Sequence, residues 1–241
     1  MNSTKRNRIA AVLLILAMVI CLTGCKQDAE KQKPKRGDVE ALRTAEVGSY
    51  IYFGEYEQDN DEATGKEAIE WLVLDKQEDK MLVIGRYGLD CQPYHLEFED
   101  VTWETCSLRT WLNNSFYETA FISEEKSLIL TSEVTADANP EYDTPAGNTT
   151  KDRVFLLSIT QANSYFADDT ARTCVGTSYC YERGAYKYEN TGTCWWWLRS
   201  PGDYSYNAAN VNCGGSVYYC GCSVFSHYVA VRPALWINLN P

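Results

Sequence analysis

The residues able to do chemistry in this 241-residue chain are mostly sulfur: ten cysteines against two histidines. Eight cysteines lie in the C-terminal part, at Cys91, Cys106, Cys174, Cys180, Cys194, Cys213, Cys220 and Cys222. An even set in an exported chain invites disulfides, yet eight cysteines admit about 105 pairings and their spacing selects none. Cys220-Gly221-Cys222 is half a metal site with no second pair or paired histidines to complete it, so no metal is expected. A Ser-His-Asp or Cys-His arrangement would have to rest on His95, set between Tyr94 and Leu96, since the other histidine, His227, lies in the tyrosine-rich stretch 203–228. Nothing beside either recommends it, and the chain is expected not to be an enzyme. There is no phosphate loop or nucleotide fingerprint, and no cofactor is expected. The acidic stretch Asp59 to Gly65 superficially suggests a calcium loop. Its glycine is misplaced and Ala63 stands where a ligand should, so it reads as a solvated hairpin turn.

Cys25 carries a different chemistry. Lys5, Arg6 and Arg8 precede an apolar run from Ile9 to Leu22, too short to span a bilayer comfortably, and Leu22-Thr23-Gly24-Cys25 resembles a lipobox. Residues 1–24 are thus expected to be a signal peptide, with Cys21 leaving in it and Cys25 lipidated. Each buried methylene contributes about 0.8 kcal/mol, so two or more acyl chains anchor a protein stably. Residues 25–44, charged and holding Pro34 and Gly37, read as a flexible tether, and 45–241 as one domain. The expected location is the cell membrane, lipid-anchored on its extracytoplasmic face. The formal charge of −11, with a basic cluster between Lys26 and Arg36, places an acidic domain beyond a basic tether and argues against nucleic acid.

Among the supporting elements, Tyr50 to Phe53, Ile69 to Leu74 and Met81 to Ile84 alternate as strands of an antiparallel meander. Between Thr105 and Leu130 the period turns helical, with Leu108, Trp111 and Leu112 on one face and Ser123 as an expected N-cap. A polar loop, Thr135 to Lys151, precedes a buried strand at Val154 to Leu157 and a short helix from Ile159 to Phe166. Cys194 to Gly202 is an aromatic strand whose indoles are expected to pack in the core, and Val229 to Ile237 is a core strand in which Arg232 is expected to pair with a buried acid. The class is α+β, an antiparallel sheet with short helices.

The motifs CWWWLRSPG and VRPALW, together with EWLVLD, CQPYH, VTWETCSLRTWLNNSF and VFLLSITQANSYF, resemble a domain of unknown function of gut Firmicutes (DUF6273-like). That resemblance implies a C-type lectin-like fold related to the formylglycine-generating-enzyme branch, and a variable C-terminal repeat of the kind targeted by diversity-generating retroelements. The copper-binding cysteine pair of that branch has no match here, and the carboxylate and amide cluster of calcium-dependent lectins is not evident.

Retroelements of this type mutate template adenines. An asparagine codon then reaches Tyr, Ser, Asp, Gly, Cys, His, Phe and several others, but never Lys, Glu, Gln, Trp or Met. Residues 203–228 contain none of those five. The expected ligand-binding residues are Tyr204, Ser205, Tyr206, Asn207, Asn210, Asn212, Cys213, Tyr218, Tyr219, Cys220, Cys222, Ser223, Phe225, Ser226, His227 and Tyr228. Tyrosine offers a broad stiff face with a polar tip, while serine, glycine and asparagine offer adaptable hydrogen bonds, the mixture used in antibody loops. The expectation is a surface lipoprotein binding an extracellular protein or glycan. The other reading is an invariant cell-envelope domain, structural or accessory to an enzyme, with an ordinary tyrosine-rich loop.

Overall fold

The computed structural model describes residues 38–241. The expected signal peptide, Cys25 and the expected tether as far as Gly37 lie outside the described residues. Among those described, no helix is long and apolar enough to cross a membrane.

The domain starts earlier than the charge pattern suggests. Asp38 caps helix α1 (Val39–Thr44) by accepting the Glu40 N–H at 3.1 Å, and Leu42 on its inner face is buried in the core. Arg43 Nε donates to the Leu239 carbonyl at 2.7 Å, and Lys76 Nζ donates to the carbonyls of Arg43 and Ala45. The expected tether boundary at Thr44 is therefore corrected to before Asp38: one leucine and a cap outweigh the surrounding charge.

Strands β1 (Tyr50–Tyr56), β2 (Glu67–Lys76) and β3 (Lys80–Gly85) form the expected meander. Their four-stranded antiparallel sheet is completed by the C-terminal β11 (Ala234–Asn238), which pairs Leu235 with Val83 and Ile237 with Met81. β3 is buried along nearly its whole length, as its unbroken apolar run requires. A short β4 (Asp90–Cys91) then starts a second sheet. The helical stretch follows as α2 (Ser107–Trp111), a widened turn at Leu112–Phe116, α3 (Tyr117–Ala120) and α4 (Ser123–Lys126). Ser123 is the first residue of α4, so the N-cap position falls to Ile122, whose N–H donates to Glu125 Oε2 at 3.1 Å.

β5 (Ser132–Val134) and β6 (Thr150–Asp152) make a small ribbon around the polar loop. Val154 to Leu157 is buried but is not a strand: it makes one isolated bridge, Phe155 to Ala234, because its next carbonyls are taken by Arg199. Helix α5 (Ile159–Tyr165) opens on Ser158, whose hydroxyl accepts the Gln161 N–H while Gln161 Oε1 accepts the Ser158 N–H. Two short helices, α6 (Asp169–Arg172) and α7 (Ser178–Glu182), precede the aromatic strand.

β7 (Trp196–Pro201), β8 (Asn207–Val211), β9 (Val217–Ser223) and β10 (Ala230–Val231) join β4 in a five-stranded sheet of order β4-β10-β7-β8-β9. It is antiparallel except between β10 and β7. The result is a mixed α+β domain. Trp71, Trp103, Trp196 and Trp197 are fully buried, and each indole N–H reaches an acceptor: the carbonyls of Phe53, Arg172 and Gln92, and for Trp103 the Asp152 carboxylate.

The two signature arginines behave differently. Arg199, between β7 and the 154–157 segment, donates to the Thr135 and Leu156 carbonyls, to Gln161 Oε1 and to Asp137 Oδ2 at 3.2 Å. Burial lowers its pKa to about 10, which leaves it charged at neutral pH. Arg232 corrects the expectation of a core acid. Its guanidinium lies over the rings of Trp196 and Phe166, at 5.0 and 5.4 Å from their centroids, and donates to the Gly85 and Arg172 carbonyls, with no carboxylate paired to it among the described residues.

Candidate ligand-contact face

The β8–β9 hairpin forms the outer margin of the second sheet, and its shape follows from three local features. Val211 pairs with Val217 and Asn210 with Tyr218, but the next partners are Ala208 and Cys222, so β9 carries a bulge. Gly221 sits in that bulge at φ +76°, where a Cβ would lie 2.4 Å from the Ala208 carbonyl oxygen. Asn139, from the long polar loop, lashes the bulge to β7: its buried amide donates to the Pro201 carbonyl at 2.9 Å and the Tyr219 carbonyl at 2.8 Å, and its Oδ1 accepts the Glu141 N–H. Replacing Asn139 with alanine orphans both carbonyls. The expected cost is about 2 kcal/mol, read as a lower Tm together with faster amide exchange confined to 219–223.

At the hairpin tip, Asn212 Oδ1 accepts the N–H groups of Gly214 and Ser216. The same turn docks on α6, with Arg172 Nε donating to the Gly215 carbonyl at 2.9 Å and the Ser216 hydroxyl donating to Asp169. Thus the asparagines of the segment split by role. Asn207 ties back to Asp203 at 2.7 Å, Asn212 closes the turn, and Asn210 is buried entirely under the sheet. Asn210 Nδ2 donates to the Ala208 carbonyl, and among the described residues its Oδ1 has no hydrogen-bond partner. Asn210 and Cys222, both expected to touch ligand, are corrected to interior positions.

The remaining expected residues are accessible to different degrees. Tyr204, Tyr218, Phe225, His227 and Tyr228 are exposed, with Tyr204 at 56% and Tyr228 at 44%. Ser205, Tyr206, Asn207, Asn212, Cys213, Tyr219, Cys220, Ser223 and Ser226 are half-buried. Tyr218 and Tyr228 both meet the Trp195 ring edge to face, at 5.9 and 6.4 Å. Tyr204 stacks on Tyr206 at 5.1 Å, Tyr206 meets Phe98 at 5.2 Å, and Phe225 meets His227 at 4.7 Å. Backbone bonds join these groups: Val224 N–H to the Tyr206 carbonyl, His95 N–H to the Val224 carbonyl, and Tyr186 N–H to the Tyr228 carbonyl.

Trp195, Phe98, Leu96 and Tyr186 were not legible as part of this face. Trp195 is half-buried while its two successors are fully buried, so grouping the three indoles as core hid it. Leu96 and Phe98 alternate with Glu97 and Glu99 in a charged loop, and two large apolar groups exposed there are the signal that was available. Two shallow grooves of about 360 and 320 Å³ meet at Pro145 and Ser205 below Tyr204. Asp100 and Glu104 line one, Asp143 and Asp203 the other, giving the lower rim an acidic character.

A family model described as a domain of unknown function (DUF6273) matches residues 78–239. The chain belongs to the DUF6273 family. No curated protein and no solved structure matches it. The DUF6273 match begins in the turn before β3, yet β1 and β2 supply half of the first sheet and Leu42 joins its core. The folded unit around the DUF6273 match therefore reaches back to Asp38.

The other chemistry-bearing groups of this DUF6273 domain are engaged in structure. His95 Nδ1 accepts the Ser107 N–H at 3.1 Å at the start of α2, and its Nε2 faces Glu99 at 2.9 Å. Burial raises Cys91 and Cys106 to about 12, which keeps both as thiols. Glu57, Asp59 and Glu67 offer carboxylate oxygens within 4.8 Å of one another and so could approach a cation. They already close their own loop, Glu67 Oε2 accepting the Gln58 N–H and Glu57 Oε1 the Asn60 N–H. Cys220 is in contact with the Tyr142 hydroxyl at 3.0 Å and Cys222 with the Tyr228 hydroxyl at 3.5 Å.

Proposed function

We propose that this DUF6273 domain is the ligand-binding part of a surface-displayed lipoprotein, C-type lectin-like in fold, whose contact face is the solvent side of the β8–β9 hairpin and the 204–206 and 224–228 loops. The observation that carries the reading is the division of labour within 203–228. The backbone is held from outside by Asn139 and Arg172 and is tightly packed on itself where the Cys220 and Ala208 carbonyls face Gly202 and Gly221, while Tyr204, Tyr218, Phe225 and Tyr228 project into solvent. Side chains held in this way can be exchanged without repacking the core. Stiff aromatic anchors with polar tips are the residues that carry most of the energy in such contacts.

Asn210 adds support for retroelement diversification. A buried amide with an unpaired oxygen costs about 1–3 kcal/mol, which suits a residue set by a template codon rather than by packing. The partner is an extracellular protein or glycan that stacks on aromatic faces. Lipid attachment at Cys25 keeps the receptor on the cell that benefits from it.

The test replaces Tyr204, Tyr218, Phe225 and Tyr228 together with serine and screens both forms against glycan arrays and panels of extracellular proteins. A partner of the wild type should lose at least tenfold in affinity, about 1.4 kcal/mol, while Tm changes little because these side chains are exposed. A partner bound equally by the variant would contradict the proposed face.

A further inference from the structure

Among the eight cysteines one pair is set apart by backbone register. The chain leaving Cys174 and the chain returning to Cys194 run antiparallel: Val175 and Thr193 bridge, and the Cys194 N–H donates to the Cys174 carbonyl at 2.8 Å. Cys174 and Cys194 are the next residues in that register and so stand directly opposite each other. Opposed residues of an antiparallel pair have Cα atoms about 4.5–5.5 Å apart, within the span a disulfide bridges. Both side chains are buried, at 2% and 0% exposure, and the Cys174 thiol donates to the Val175 carbonyl at 3.5 Å.

The pair is electrostatically asymmetric. Burial disfavours a Cys174 thiolate, but the Cys194 S–H and the Arg232 guanidinium outweigh it and bring Cys174 down to about 7. The hydrogen bond to Cys174 and burial push Cys194 the other way. Arg232, the buried cation with no carboxylate paired to it, thereby has an anionic neighbour available in Cys174.

The competing thiol is Cys180. A Cβ placed on Gly88 would lie 3.4 Å from the Cys194 sulfur and 3.6 Å from that of Cys180, so these two sulfurs approach one point. Cys180 sits on α7 rather than on the paired backbone, and its thiol donates to the Asp90 carbonyl at 3.2 Å. Cys91 likewise donates to the His227 carbonyl at 3.2 Å.

We propose that Cys174 and Cys194 are joined by a disulfide in the exported protein, closing residues 174–194 into a loop that borders the contact face. That loop touches the face at two points: the Tyr186 N–H donates to the Tyr228 carbonyl at 2.8 Å, and the Thr193 hydroxyl to the Cys213 carbonyl at 2.7 Å. The oxidant is a disulfide, either a small molecule or an oxidoreductase, met before the pair is buried. One cysteine of the pair gives its proton to water, attacks one of the oxidant's sulfurs as the thiolate and expels a thiolate. The other, having likewise given its proton to water, then attacks the first cysteine's sulfur in the mixed disulfide and expels the second thiolate. Two protein thiols become one disulfide, and the oxidant becomes two thiols. The pairing stands on geometry alone, whereas its formation in the cell rests on the export argued above.

The experiment has two arms on the full chain. In one, the protein is exported from a bacterial host through its own leader and trapped with N-ethylmaleimide at lysis. In the other, the purified chain is reduced, unfolded and refolded with oxidised and reduced glutathione. Peptide mapping without reductant should find 174 linked to 194 in both arms, with Cys91, Cys106 and Cys180 alkylated. Reductant should lower the Tm of the linked protein by about 5–10 °C, and should leave a Cys174→Ala, Cys194→Ala variant unmoved. Free thiols at both positions after refolding, or Cys180 linked to either, would overturn the pairing. A link in the refolded arm alone would overturn its formation in the cell while leaving the pairing intact.

Discussion

Gly215→Ala should cost on the order of 3–5 kcal/mol, a drop in Tm of roughly 6–20 °C for a domain of this size. Gly215 has φ +88°, and a Cβ there would lie 1.7 Å from the Asp169 carbonyl oxygen and 2.5 Å from its carbon. The obstacle is backbone, so no side chain can swing aside. Relief requires the hairpin tip to lift from α6, which breaks the Arg172 to Gly215 hydrogen bond and the Ser216 to Asp169 contact. The neighbour supplies the control. Gly214 has no positive φ and a Cβ there meets only the Asn212 side-chain oxygen, at 3.2 Å, so Gly214→Ala should cost less than about 1 kcal/mol. Thermal unfolding of the two variants side by side checks the contrast. It also bears on diversification, because glycine codons are reachable from asparagine by adenine changes, yet Gly215 and Gly221 are fixed by the backbone around them.

Arg232→Ala should be as damaging, again on the order of 3–5 kcal/mol. The substitution empties the space over Trp196 and Phe166 and removes the guanidinium donor from the Gly85 carbonyl and from the Arg172 carbonyl, which keeps only the Trp196 indole N–H. Arg232→Lys keeps the charge but loses the planar fork that donates to two carbonyls while stacking on two rings, so it should recover only part of the loss. Equal stability of Arg232→Lys and wild type by chemical denaturation would contradict that stacking role. The Pro233 that follows keeps the chain extended as it passes from β10 into β11, so VRPALW is a joint between the two sheets.

Much of this was legible in the sequence for physical reasons that can be named. The meander of β1 to β3 was readable because alternation and turn residues agree. The helix after Ser158 was readable because its capping residues stand at their usual spacing. What was hidden depends on contacts distant in sequence. Charge around Leu42 masked a short helix whose stability comes from packing against the core. Val154 to Leu157 has a strand's composition, but Arg199 claims its carbonyls. At the candidate face, composition alone named the segment but could not separate Asn210 and Cys222, which point inward, from Tyr218 and Tyr228, which meet over Trp195. Period-two alternation would have helped, had the bulge at Gly221 not shifted the register halfway along β9.

The central claim, an exchangeable face on a fixed frame, is tested most directly by deep sequencing of codons 203–228 across a population of the source cells, together with a search of the genome for a near-copy of the segment. A near-copy differing at adenines is expected beside a reverse transcriptase gene, with substitutions concentrated at exposed positions such as 204, 218, 225 and 228 but absent at Gly215 and Gly221. A segment identical in every read, with no such copy in the genome, would contradict it.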